Sequence, residues 1–142
     1  VDKKTQFAIL DEVKRISERN PKIYIAIKWL ATYFSIRPSE MLNIKEGDFN
    51  FDIGGVFIRK PKEKTPKFVP FLPDDLAIVM AYPTGLPHLY FFRHEIGNGG
   101  EPGGSKIGRD CLWRNWHKAC QNLGIEGVDL YRGDKAQLDY RP

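Results

Sequence analysis

The chain has 142 residues, 42% of them hydrophobic and 28% charged, with a formal net charge of +4 and an isoelectric point near 9.1. That length suits one domain around a single core and argues against two. The longest apolar runs fall well short of the roughly 20 residues that cross a bilayer, which argues against a membrane protein, and the basic balance is compatible with a polyanionic partner.

Residues 5–19 carry Ile9, Leu10, Val13 and Ile16 at helical spacing with charges between them, so they predict an amphipathic helix closed by Asn20-Pro21. Pro21 suits the first position of a second helix. There Ile23, Ala26, Ile27, Leu30, Ala31 and Phe34 make an apolar face wide enough for a central position, and the helix is expected to end at Ser35. A third, short helix is read in "IRPSEMLNI", with Pro38 tolerated in its first turn and Met41, Leu42 and Ile44 facing inward.

The pattern then changes. In "EGDFNFDIGGVFIRK" Phe49 and Phe51 alternate with polar neighbours, Gly54-Gly55 marks a turn and Val56-Phe57-Ile58 is a β-rich run, which predicts two short strands. A third strand is expected from Phe68 to Phe71, then a helix in "DDLAIVMAY" with Asp74-Asp75 as cap and first-turn acid. "HLYFFRHE" reads as buried. Five glycines among residues 97–104 predict a flexible connection, and the P-loop order GxxxxGK[ST] is lacking there. A last helix from about Arg109 carries Leu112, Trp116, Ala119, Cys120 and Leu123 on one face and stops at Gly124. The sum is a mainly α chain with a small three-stranded antiparallel sheet.

Cys111 and Cys120, with eight residues between them and no CxxC, read as reduced core thiols of a cytoplasmic protein. A zinc site on His117 and Cys120 would lack two ligands. His88, His94 and His117 have no mutual spacing that makes a site. The N-terminal Val1-Asp2-Lys3-Lys4 has neither an initiator Met nor an apolar targeting stretch, and is expected to be the start of a domain cut from a longer chain.

The densest positive patch lies between Arg59 and Lys67, where Arg59, Lys60, Lys62, Lys64 and Lys67 give five basic residues in nine. Such a patch either protects an edge strand with lysines or enters a nucleic-acid groove. A lysine held at a turn can also protonate a leaving oxygen once desolvation or neighbouring cations lower its pKa. In "SIRPSE", Arg37 follows a buried helix and begins another. Its guanidinium can grip a phosphate bidentately or pair with Glu40 three residues on.

Taken in order, these pieces resemble the catalytic domain of the tyrosine recombinase, or phage integrase, family. "YIAIKWLATYFSIRPSEMLNIKEGDFNF" is similar to the family's first box, a helix, a break, an Arg and then "xSE" with two apolar residues. By that match Arg37 is the first catalytic arginine and Glu40 its structural companion. "VFIRKPKEKTPKFVPFLPDDL" resembles the β-hairpin that carries the catalytic lysine and closes on Val69-Pro70-Phe71. The family's spacing puts that lysine eight residues before Pro70, at Lys62, with Lys64 the alternative. "KIGRDCLWRNWHKACQNLGIEGVDLYRG" resembles the approach to the second box.

The resemblance implies the integrase catalytic-domain fold over residues 1–142 and a mechanism in which a tyrosine hydroxyl attacks a phosphodiester of double-stranded DNA. Two arginines offset the charge on the pentavalent phosphate, the lysine protonates the 5′ oxygen, and no metal or nucleotide cofactor is needed. Arg59, Lys60, Lys64, Lys67 and Arg132 would contact DNA, and the expected assembly is a tetramer on DNA, or a monomer for the isolated domain. Upstream DNA-binding domains of the family have no counterpart in the sequence.

The end departs from the family pattern. After "LYRG" the family has a second Arg, a His or Trp and only then the tyrosine, several tens of residues on, whereas nine residues follow Gly133. One reading is a degenerate copy that holds DNA without cutting it, with Arg132 and Lys135 a relic of the basic pair. The other is a segment missing between Gly133 and Asp134, which makes "DKAQLDYRP" the tyrosine segment and Tyr140 the nucleophile. A Cα separation of about 3.8 Å across that junction would count against the second reading.

Overall fold

The computed structural model describes residues 2–59, 65–95, 104–128 and 130. Helix α1 spans Lys3–Ile16, α2 Pro21–Thr32 and α3 Pro38–Leu42; strands β1 (Phe49–Asn50), β2 (Gly55–Ile58) and β3 (Lys67–Pro70) follow, then α4 (Pro73–Met80) and α5 (Arg109–Leu123). The described chain is mainly helical, with one three-stranded antiparallel sheet in the order β1-β2-β3, as the sequence pattern predicts. No described helix is long and apolar enough to cross a membrane.

Helix α1 starts directly after its N-cap Asp2, whose carboxylate accepts from the Thr5 amide at 2.7 Å. Its buried Ile9, Leu10 and Val13 pack along α5 and α2, and Leu112, Trp116 and Ala119 answer them from α5. Glu12 bridges the two helices directly, accepting from Arg15 on its own helix and from Asn122 on α5 at 2.7 Å. At the far end of α5, Gly124 sits at φ 67, the left-handed cap that glycine adopts without a Cβ penalty, and the Ile125 amide returns to the Cys120 carbonyl.

Helix α2 is central, with ten of its twelve residues buried. Trp29 is fully enclosed, edge-on to Phe71 at 4.7 Å and to Phe92 at 5.5 Å and stacked on Phe91 at 5.9 Å. These offset and edge-to-face contacts are the geometries that ring quadrupoles favour. The helix ends at Thr32, earlier than its apolar pattern suggests, and Phe34 is left exposed. The cause is Tyr33, whose hydroxyl donates to Asp75 Oδ2 at 2.5 Å and accepts from the Leu72 amide at 2.9 Å, so the chain turns to meet the start of α4. Asp75 is a first-turn acid of α4, as the sequence predicts, but one turned into the core. It is buried, with Lys28 Nζ at 3.1 Å from its other oxygen, and α4 begins one residue before Asp74 with Leu72 at the cap position.

In the sheet Val56 pairs with both Phe49 and Val69, and Phe57 with Phe68. Val56, Ile58 and Val69 face the core, while Phe57 and Phe68 meet on the other face with ring centroids 5.0 Å apart. Gly55 is required by close approach: a Cβ there would lie 2.2 Å from the Val69 carbonyl oxygen. Phe51, expected to alternate inward, falls in the turn after β1 and is exposed, because β1 is only two residues long.

A second, shorter ladder lies beside this sheet. Lys45 bridges Tyr90, with the Phe91 amide on the Ile44 carbonyl and the Glu46 amide on the Leu89 carbonyl, both at 2.9 Å. Arg93 bridges Lys106, with the Ile107 amide on the Phe92 carbonyl at 2.9 Å. Phe91, Phe92 and Ile107 are fully buried by this pairing, whereas His88 and Leu89 remain exposed, so only the middle of "HLYFFRHE" is core.

Candidate nucleic-acid interface

Arg37 is the N-cap residue of α3, extended at φ −80 and ψ 157, between the buried Ile36 and Pro38. Pro38 fixes its own φ for the first helical turn and disfavours helical backbone at Arg37, so the sequence itself sets the break there. The Arg37 amide donates to Glu40 Oε1 at 2.9 Å, and its carbonyl accepts from the Met41 amide at 2.8 Å. The backbone is thus pinned on both sides, and the guanidinium leaves from a fixed point, half-buried. Glu40 is buried, and its carboxylate serves as the acceptor for the helix start that the sequence pattern implied.

Lys67 reaches the same place from β3. Its ammonium donates to the Ser35 carbonyl and lies 3.6 Å from Glu40 Oε1, tying the sheet to the chain on both sides of Arg37. Arg59, at the outer end of β2, bonds Asp48 Oδ1 while its side chain stays largely exposed. Asp48 is buried and also accepts from the Lys45 amide at 2.9 Å. So two of the cations expected to meet DNA, Arg59 and Lys67, each share a buried carboxylate. Lys60, Lys62, Lys64, Arg132 and Tyr140 lie outside the described residues, as does the junction of Gly133 and Asp134.

Between α3 and β2 a groove of about 250 Å³ is lined by Ser39, Asn43, Lys45, Phe57, Arg59 and Tyr90, with the acids Glu40 and Asp48 also in its lining. That volume is below the roughly 300–1,000 Å³ of pockets that enclose a small-molecule ligand. Lys106 reaches in from the second ladder, with its ammonium 4.4 Å from the Tyr90 ring centroid and bonded to Asn43 Oδ1; Lys45 Nζ is 5.5 Å from the same centroid.

Beneath the groove a polar scaffold holds Tyr90 in place. Buried Glu46 accepts from the Leu86 amide at 3.0 Å and meets Arg93 at 2.7 Å, and Arg93 in turn donates to the Tyr90 carbonyl. Lys22 lies with its ammonium over Phe91 at 4.5 Å and Tyr82 at 4.9 Å. Burial, and then the charge of Arg93, pull its pKa below the ordinary lysine value.

Lys45, Asn43, Tyr90 and Lys106 were not legible as site residues. Tyr90 sat inside a run read as buried and Lys106 at the edge of a glycine-rich connection; no local spacing joins residues 45, 90 and 106. His88 and His117 are exposed and His94 half-buried, and among the described residues no group of three or more His, Cys, Asp or Glu is placed to hold a metal ion. Cys120 is buried and Cys111 half-buried, both as free thiols. No family model, curated protein or solved structure matches the chain.

Proposed function

We propose that the chain is the catalytic domain of a site-specific DNA recombinase of the tyrosine recombinase, or phage integrase, family, acting on double-stranded DNA in the cytoplasm as a DNA-bound tetramer. The observation that carries this reading is the setting of Arg37. It caps a short helix whose Glu40 holds its amide, it lies against the base of a basic β2–β3 hairpin through Lys67, and a groove with further cations adjoins it. An arginine with its backbone so constrained suits bidentate contact with a phosphate, because less conformational freedom is lost when the contact forms.

In this reading the Tyr140 hydroxyl gives up its proton to solvent as its oxygen attacks the scissile phosphorus, and the bond to the 5′ oxygen breaks. Lys62 gives that oxygen its proton, leaving a 3′-phosphotyrosyl link, and Arg37 offsets charge on the equatorial oxygens. A 5′-hydroxyl from the partner strand then attacks the same phosphorus and releases Tyr140, so the number of phosphodiester bonds is unchanged.

The test is covalent capture on a pool of nicked duplexes with randomised sequence around the nick, read as a protein-DNA adduct that survives denaturation. The unaltered chain is expected to form it, and Arg37→Ala and Tyr140→Phe to abolish it while keeping the unaltered chain's thermal midpoint within a few degrees. Adduct formation by Tyr140→Phe would point to another nucleophile. Salt-sensitive binding without any adduct would make the chain a DNA-binding module instead.

A further inference from the structure

We infer that Lys45 and Lys106, organised on the Tyr90 ring, form a second phosphate-binding element for the DNA backbone, separate from the hairpin and from Arg37. Four observations point there. First, among the described residues neither lysine makes an ion pair with a carboxylate, in contrast to Arg59 on Asp48 and Lys67 on Glu40. Their charge is available to an external anion.

Second, both ammoniums lie against one aromatic ring, at 4.4 and 5.5 Å from its centroid. A ring quadrupole attracts cations without neutralising them, so Tyr90 can gather two like charges and leave both able to bind. Third, the backbone under all three residues is hydrogen-bonded: the Lys45–Tyr90 and Arg93–Lys106 bridges place them from three separate segments, and the Glu46–Arg93 pair braces the middle one. Fourth, Lys45 lines the groove beside α3, and Lys106 is bonded to Asn43 Oδ1 and lies over Tyr90, both of which line it. A strand leaving the Arg37 site along this groove would present a phosphate to each lysine, with Phe57 and Tyr90 flanking the sugar.

Tyr90 is a positioning residue in this account and the two lysines are the ligands. The inference rests on the reading that the chain binds duplex DNA, but it does not require that it cleave it. The experiment is a binding titration of the whole chain against a random-sequence duplex at several salt concentrations. Each phosphate contact contributes a slope of about 0.9 to the fall of log K with log salt. Lys45→Gln and Lys106→Gln are each expected to lower that slope by about 0.9, and the double variant by about 1.8. Tyr90→Leu is expected to approach the double variant and Tyr90→Phe, which keeps the ring, to match the unaltered chain. Lys118→Gln, on the exposed face of α5, serves as the control and is expected to leave the slope unchanged.

A full slope in either lysine variant overturns the inference while leaving DNA binding in place, and so does an equal loss in Lys118→Gln. Absence of salt-dependent binding by the unaltered chain defeats the DNA-binding reading itself. Because neither glutamine variant removes a buried side chain, both are expected to keep the thermal midpoint, so their slopes stand even if Tyr90→Leu fails to fold.

Discussion

Replacing Glu40 by alanine isolates what holds Arg37 in place. The carboxylate accepts the Arg37 amide at 2.9 Å and lies 3.6 Å from Lys67 Nζ. A lost helix-start acceptor costs about 1 kcal/mol, and a hydrogen bond to a charged group raises that to about 1.5–3 kcal/mol. The lysine contact is longer than a hydrogen bond and reaches solvent on one side, so it adds at most about 1 kcal/mol. The sum, about 2–4 kcal/mol, is a large part of the roughly 5–15 kcal/mol that a domain has. Helix α3 is only five residues long and has little stability of its own.

Losing the acceptor therefore frees the Arg37 backbone before it unfolds the domain. Urea denaturation followed by circular dichroism should show the midpoint falling by about 1–2 M, for a slope of about 2 kcal/mol per molar. Glu40→Gln keeps an acceptor oxygen and loses only the charge, so it should cost about 1 kcal/mol or less. Adduct formation in Glu40→Ala, measured well below its midpoint, should fall toward that of Arg37→Ala. A Glu40→Ala variant as stable as the unaltered chain, or a Gln variant as damaged as the Ala one, would refute this account.

Asp75→Ala should be more damaging, about 3–5 kcal/mol, because it leaves the Lys28 ammonium and the Tyr33 hydroxyl without a buried carboxylate; a loss under about 1 kcal/mol by the same urea titration would contradict the network. Acid stability should depend on Glu12. The bonds from Arg15 and then Asn122 hold its carboxyl at about 2, against the ordinary 4.5. A lowered folded-state pKa contributes stability that is present above pH 4.5 and is lost as pH falls toward 2. Thermal midpoints of Glu12→Gln should therefore be flatter than those of the unaltered chain across that window, and parallel profiles would show that the α1–α5 link contributes nothing.

Much of the fold was legible because it is encoded locally. The 3.6-residue spacing in α1, α2 and α5, Pro21 and Pro38 at helix starts, Gly124 at a helix end and the β-rich run after Gly54 are short-range signals, and these elements lie within a few residues of where the signals put them, α1 and α2 each ending three residues early. Boundaries failed where a distant partner decided them. Tyr33 ends α2 because of Asp75, 42 residues away, and the cap expected at Asp74 falls instead at Leu72. Arg37 and Glu40 were legible because their relation spans one helical turn. Lys45, Tyr90 and Lys106 were not, since three segments far apart in the chain meet only through the second ladder.

Charge counting from sequence treats every cation between Arg59 and Lys67 alike, and the geometry separates them. Arg59 and Lys67 meet carboxylates on Asp48 and Glu40 that are themselves buried and already bonded to backbone amides. A cation in that position offsets the desolvation of a buried acid, and removing it leaves the acid uncompensated. Its first duty is to shape the site. Lys45 and Lys106 stand on an aromatic face, which supports a cation without cancelling its charge. Among the described residues Lys45 and Lys106 thus differ from Arg59 and Lys67 in having an aromatic ring rather than a buried carboxylate as neighbour. In the proposed reading, a DNA strand that contacts these lysines and Arg37 at the start of α3 would pass along the groove between α3 and β2.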